Sequence, residues 1–198
     1  MLALGSPDEK ILYLTFDAGY DNGYHQFILD TLKEKNVPAT FFVDGNFVKS
    51  HPSLVIRMNE EGHIIGNHSE NHADMTTLAD FDSYSKEITE WEACVKDLDI
   101  TPSKYFRFPM GRFSERSLAY NKRLDITSVF WSFAYYDWDT NSQPSEDVAF
   151  QKICSRVHNG AVLLLHSTSK TNCAILPRVI DKLRAEGYTF KSLDEFKK

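Results

Sequence analysis

The stretch Ile11-Leu12-Tyr13-Leu14-Thr15-Phe16-Asp17-Ala18-Gly19-Tyr20 constrains the chain more than any other. An apolar, β-favouring run halted by glycine is a buried strand and its exit turn. A carboxylate at the end of such a strand is costly to dehydrate without a partner. Asp17 is therefore a candidate for chemistry, against the plainer reading that it caps a following helix.

The remaining segments repeat the pattern. Tyr24 to Lys35 runs at helical spacing, and Ala39-Thr40-Phe41-Phe42-Val43 is a second strand closed by Asp44-Gly45. Pro52 opens a helix through Glu61, and His63-Ile64-Ile65-Gly66 is a third strand. An amphipathic helix from Phe81 to Leu98 is capped near Asp80 or Asp82. Strands follow at Tyr105 to Phe108, Thr127 to Trp131, Ala161 to Leu165 and Tyr188 to Phe190. Helices lie between them at Ser114 to Arg123, Ser145 to Val157 and Thr171 to Glu186. Alternating helices and apolar strands imply a parallel sheet covered by helices. Residues 1–10 read as a tail or cloning remnant and residues 11–198 as one domain.

A length of 198 residues suits that single domain, and 42% hydrophobic with 25% charged residues is ordinary for a soluble protein. The net charge of -6 argues against nucleic acid or an anionic membrane as partner. No run is long enough to span a membrane, and Met1-Leu2-Ala3-Leu4 lacks the charge and length of a signal peptide. Cys94, Cys154 and Cys173 are odd in number and lack metal-site spacing, so they read as buried free thiols.

Asp17, His68, Arg107, Asp137 and His166 all fall at or just past the C-terminal ends of expected strands. Sites in parallel α/β folds form at that edge, so one pocket can hold all five. His68 and His72 are four apart, which places two imidazoles on one helical face, able to grip an ion. Two surface histidines are the plainer alternative. Imidazole and carboxylate donors suit zinc, cobalt, nickel or manganese, with zinc the default. His166 ends an apolar strand and acquires a role if Asp137 sets its tautomer. A guanidinium at Arg107 needs an anion, and Asp17 is available. For both residues, a purely structural place in the core is the alternative.

Five segments in order carry a family resemblance: Thr15-Phe16-Asp17-Ala18-Gly19, His68-Ser69-Glu70-Asn71-His72, Arg107-Phe108-Pro109-Met110-Gly111, Asp137-Trp138 and Leu163-Leu164-Leu165-His166. They resemble the motifs of the polysaccharide deacetylases, the NodB-homology carbohydrate esterases. Gly19 to Tyr24, Phe113 to Arg116, Ser132 to Trp138 and Phe190 to Leu193 are similar to a narrower group, the delta-lactam-biosynthetic de-N-acetylases of spore-cortex peptidoglycan. The resemblance implies a distorted (β/α) barrel with fewer than eight strands, in line with the seven strands above.

It also implies roles. Asp17 would be the general base, held by Arg107, and His166 the general acid, supported by Asp137. His68 and His72 would hold a divalent metal. The family's second aspartate, a metal ligand, is replaced here by Ala18. Metal binding is therefore expected to be weak, with Asp17, Asp21, water or substrate completing the shell. The implied substrate is N-acetylmuramic acid in a peptidoglycan strand whose stem peptide an amidase has removed. Deacetylation would prepare the amine for delta-lactam closure. Arg112 is a candidate for meeting the lactyl carboxylate, while Tyr135, Tyr136, Trp138 and Pro109 are candidates for contacting the sugar. Barrel-top packing is the equal alternative for these aromatics. The substrate places the protein outside the cytoplasm, in the cell envelope or forespore intermembrane space. An N-acetylglucosamine deacetylase and a non-catalytic glycan-binding module are the competing readings.

Overall fold

The computed structural model describes residues 1–197. Seven strands carry the fold: β1 (Ile11–Ala18), β2 (Ala39–Val43), β3 (Ile64–Asn67), β4 (Tyr105–Phe106), β5 (Thr127–Ser128), β6 (Val162–His166) and β7 (Thr189–Phe190). They run parallel in the order β5-β4-β3-β2-β1-β6, and β7 pairs with the start of β1. The sheet curls into a distorted barrel. Among the described residues no strand joins β5 to β6 directly; bridges from Leu2 to Val129 and from Phe133 to Leu163 lie at that gap. Residues expected as an N-terminal tail thus include two, Leu2 and Leu4, that pair beside the barrel, with Val129 and Ala161.

The helices are α1 (His25–Lys35), α2 (Gly45–Ser50), α3 (Pro52–Glu60), α4 (Phe81–Lys96), α5 (Glu115–Arg123), α6 (Glu146–Arg156) and α7 (Lys170–Ala185). Their starts follow local chemistry. Asp80 and Ser83 form a capping box on α4, and Ser114 and Ser117 do so on α5. Pro52 occupies the first turn of α3. Helix α2 was not expected from sequence: six residues are too few to show a helical period, but Asp44 caps it by accepting from Phe47 N–H. Two expected strands are shorter than their apolar runs. β4 ends at Phe106, shortly before Pro109 opens a single helical turn (Pro109–Gly111), and β5 stops at Ser128 as the chain crosses towards β6. The cysteines are free but half-buried rather than buried.

Strand alternation sorts side chains onto two faces. On β1, Leu12, Leu14, Phe16 and Ala18 belong to the large core between sheet and helices. Ile11 and Tyr13 point the other way, into a smaller cluster with Phe42, Tyr105, Val129 and Val162 that fills the barrel. The interior is therefore apolar towards the N-terminal ends of the strands. Continuing each inward row two residues up yields Thr15 and Asp17 from β1, Asp44 past β2, His68 past β3, Arg107 past β4 and His166 at the end of β6. The same period that builds the core delivers polar groups to the barrel mouth.

Candidate active site

At that mouth lies a cavity of about 780 Å³, lined among others by Asp17, Ala18, Asp44, His68, His72 and His166. Register explains the convergence. Asp17 is paired with His166 on β6 and with Phe42 on β2, and Asn67, one before His68, is paired with Phe106, one before Arg107.

Arg107 lies beneath the cavity, fully buried. Its Nη1 donates to Asp17 Oδ1 at 2.7 Å and to Thr15 Oγ1 at 2.9 Å. Its Nε and Nη2 donate to the Val129 and Phe130 carbonyls, both at 3.2 Å, and the guanidinium lies 4.2 Å from the centre of the Phe42 ring. Thr15, two residues before Asp17 on the same face, is fixed in turn by donating to Leu163 O at 2.6 Å. Burial pushes the Asp17 carboxyl up, but the Arg107, His68 and His166 charges outweigh it and hold the group below the usual carboxylate range. Arg107 occupies Oδ1, while Oδ2 lies on the His68 side.

His166 behaves oppositely. Its Nδ1 donates to Asp137 Oδ1 at 2.7 Å, and its backbone N–H to Asp137 Oδ2 at 2.9 Å. Asn172 Nδ2 donates to the same Oδ2 at 2.5 Å, and Tyr135 O–H donates to Asn172 Oδ1. Burial lowers the imidazole pKa, but the bond to Asp137 and its charge more than reverse this, so the net shift is upward. With Nδ1 committed to Asp137, Nε2 is the nitrogen left to serve the cavity.

His68 Nδ1 lies 2.9 Å from the Arg107 carbonyl oxygen. A carbonyl only accepts, so Nδ1 carries the proton and Nε2 of the neutral ring carries a lone pair. Burial lowers its pKa to about 4, which keeps the ring neutral. Nε2 stands 3.7 Å from Asp17 Oδ2. Nε2 thus offers its lone pair to a cation in the cavity. The His72 ring centre is 4.9 Å from that of His68. These donors fit a divalent metal of the zinc type, with the Nδ1 bond orienting the ligand ring.

The sugar-contact candidates divide. Tyr135 and Trp138 line the cavity. Tyr136 does not; it packs on Trp138 with ring centres 4.6 Å apart and donates to Asp139. Pro109 is buried, and Arg112, next in sequence to the cavity-lining Gly111, is exposed and paired with Asp74 at 2.9 Å. Asp21, considered as a ligand, is turned away: its Oδ1 accepts from Gly23 N–H and pairs with His25 Nδ1.

Sequence reasoning missed several supports. Thr15 was detectable as the inward neighbour of Asp17. Asn172 and the buried His25, whose Nε2 lies 2.7 Å from Ser167 Oγ, offered no motif. Met110 lines the cavity on a left-handed backbone (φ 57). The next residue must be glycine, since a Cβ at Gly111 would stand 2.8 Å from Trp131 Cη2.

The sequence profile of the polysaccharide deacetylases matches residues 5–129. The chain is 44% identical to the peptidoglycan-N-acetylmuramic acid deacetylase PdaA of Bacillus subtilis, over 97% of this chain and 73% of that protein. The solved structure of Bacillus subtilis PdaA, a family 4 carbohydrate esterase, superposes with a TM-score of 0.95, covering 98% of this chain and 83% of that one. The peptidoglycan-N-acetylglucosamine deacetylase PgdA of Listeria monocytogenes is 32% identical over 94% of this chain, which spans 38% of that protein.

Proposed function

The chain belongs to the polysaccharide deacetylase family, hydrolases of acetamido sugars, and we propose that it removes the acetyl group from N-acetylmuramic acid in peptidoglycan. The reading includes a strand already stripped of stem peptide by an amidase, a product ready for delta-lactam closure in spore cortex, and action outside the cytoplasm. The observation that carries the chemistry is the pair Asp17 and His166. They face one cavity, and buried partners of opposite sign push their pKa values apart. The choice of the muramic sugar is supported by 44% identity to a muramic deacetylase against 32% to a glucosamine deacetylase.

In this mechanism Asp17 Oδ2 takes a proton from the attacking water while Arg107 holds Oδ1 and keeps the carboxylate ionised. Water oxygen bonds to the acetyl carbon. His166 Nε2–H then protonates the amide nitrogen as the C–N bond breaks, and Asp137 stabilises the imidazolium until transfer. Acetate and a free amino sugar leave. A divalent metal held by His68 and His72 would polarise the acetyl carbonyl. Tyr135 and Trp138 offer aromatic faces to the sugar, and Arg112, next to the cavity-lining Gly111, a cation.

The test is acetate release from amidase-treated strands, compared with chitin-like and intact glucosamine polymers. The protein is stripped with chelator and reloaded with Zn²⁺, with Asp17→Asn as control. Release confined to muramic strands, dependent on metal and absent in the control, is the expected result. Release only from glucosamine polymers would transfer the activity to the second reading, and binding without release under any metal would leave a glycan-binding module.

A further inference from the structure

Ala18 brings no donor to the cavity, which raises the question of what accompanies His68 and His72. The nearby carboxylates can be taken in turn. Asp17 Oδ1 is held by Arg107, and the base role occupies its remaining oxygen. Asp21 is committed to Gly23 and His25. Glu70, between the two histidines in sequence, points away: its carboxylate meets Lys49, stands 3.7 Å from Cys94 Sγ and packs beneath Gly45.

Asp44 differs. β2 lies between β1 and β3, and Val43 is paired with Ala18 on one side and Asn67 on the other. The residue after Val43 therefore stands between Gly19 and His68. The backbone bonds agree, since Asp44 N–H donates to Ala18 O at 3.4 Å and His68 N–H to Val43 O at 3.1 Å. Alternation points residue 44 the same way as Phe42, into the barrel, and Asp44 lines the cavity with both histidines while only 4% exposed. One oxygen, Oδ1, takes the α2 capping bond from Phe47 N–H at 2.7 Å. Oδ2 faces the Gly19 backbone, 3.1 Å from where a Cβ would be. A carboxylate has about four acceptor sites, so the cap leaves capacity for a ligand bond.

We infer that Asp44 is the third protein ligand of the metal, supplying from β2 the carboxylate that residue 18 does not. The inference rests on the metal-assisted reading above. Among the described residues no three His, Cys, Asp or Glu side chains already converge into an ion cage. Metal binding on this reading draws the three side chains together; His72 is exposed on a left-handed turn (φ 52), and the Asp44 cap engages only Oδ1.

The experiment measures metal affinity without turnover. The chelator-stripped full chain is titrated with Zn²⁺ against a chromophoric competitor, and with Co²⁺ to read the ligand-field spectrum. Asp44→Ser removes the carboxylate but retains a good N-cap; Asp44→Asn retains both cap and volume. Loss of a ligand is expected to weaken Zn²⁺ binding by about tenfold or more and to change the Co²⁺ spectrum, with the metal-free melting temperature unchanged. Ala18→Asp placed in the Asp44→Ser chain is expected to restore affinity. Unchanged affinity in both Asp44 variants overturns the inference, as does a wild-type chain that binds neither ion. Because no substrate is used, failure to release acetate from muramic strands counts against the proposed function and leaves this result standing.

Discussion

Replacing Arg107 with Met tests the centre of the site. Methionine fills much of the volume between Phe42 and the β1 edge but removes the charge and all four donated bonds. Removing one partner of a buried ion pair costs about 3–5 kcal/mol. For a chain of this size each kcal/mol lowers the melting temperature by about 2–4 °C, so the expected drop is about 6–20 °C. The pH dependence separates charge from packing. In the wild type the Asp17 pKa lies below its unfolded value of 3.8, so its stabilising contribution is present above that value and is lost as pH falls through the folded pKa. Without Arg107, the upward push of burial prevails. A raised pKa contributes stability below the unfolded value and loses it as pH rises through the folded one. The deficit of Arg107→Met should therefore grow from about pH 3 to about pH 7. Thermal melts by circular dichroism in chelator, across that range, measure it. The growth should vanish when Asp17→Asn is the background. A deficit that is the same at every pH would refute the ion-pair account and leave packing alone.

Asp137→Asn removes the charge that holds the His166 pKa up, so the alkaline limb of kcat/KM should move to lower pH. Loss of efficient acid catalysis should lower kcat by about 10²-fold or more with little change in KM; pH-resolved kinetics check both. Met110→Gly relieves a left-handed backbone while deleting a side chain that lines the cavity. Its stability should stay within about 1 kcal/mol of wild type while KM rises, as melting and saturation curves would report. Arg112→Ala breaks an exposed pair with Asp74, so stability should change by less than about 1 kcal/mol. Acetate release from muramic strands should fall, and unchanged muramic turnover would remove Arg112 from substrate recognition.

The fold was legible because parallel strands buried on both faces are written as apolar runs, and β1, β2 and β6 match such runs closely. β4 and β5 were overestimated for the same reason: Phe108 is apolar for packing, not for pairing, and Val129 pairs through an isolated bridge to Leu2 rather than as part of β5. Convergence of Asp17, His68, Arg107, Asp137 and His166 was legible because each ends or follows a strand and all the strands are parallel. Partners from elsewhere were not. Asn172 reaches Asp137 from the first turn of α7, and Asp44 resembled nothing more than a turn residue until β2 was placed between β1 and β3. Such contacts depend on strand order, which periodicity does not encode. The rim was hardest to read, because side chains beyond the strands follow no alternation; Tyr135 and Trp138 turn to the cavity while Tyr136, between them, turns away.

The two ion pairs together define a working range. Asp17 is ionised above a pKa held below 3.8, and His166 is protonated below one held above 6.5. Both groups are in the required state throughout that interval, so kcat/KM should form a broad plateau covering it. The acid limb is composite, because His68 must also be neutral to bind a cation and its pKa is about 4. The alkaline limb belongs to His166 and is the one that Asp137→Asn should move. A rise in rate through about pH 7 instead would not fit a carboxylate base with a pKa held below 3.8. That profile would mean that the proton removed from water does not go to Asp17, and the carboxylate held by Arg107 would then serve to position the water rather than to deprotonate it.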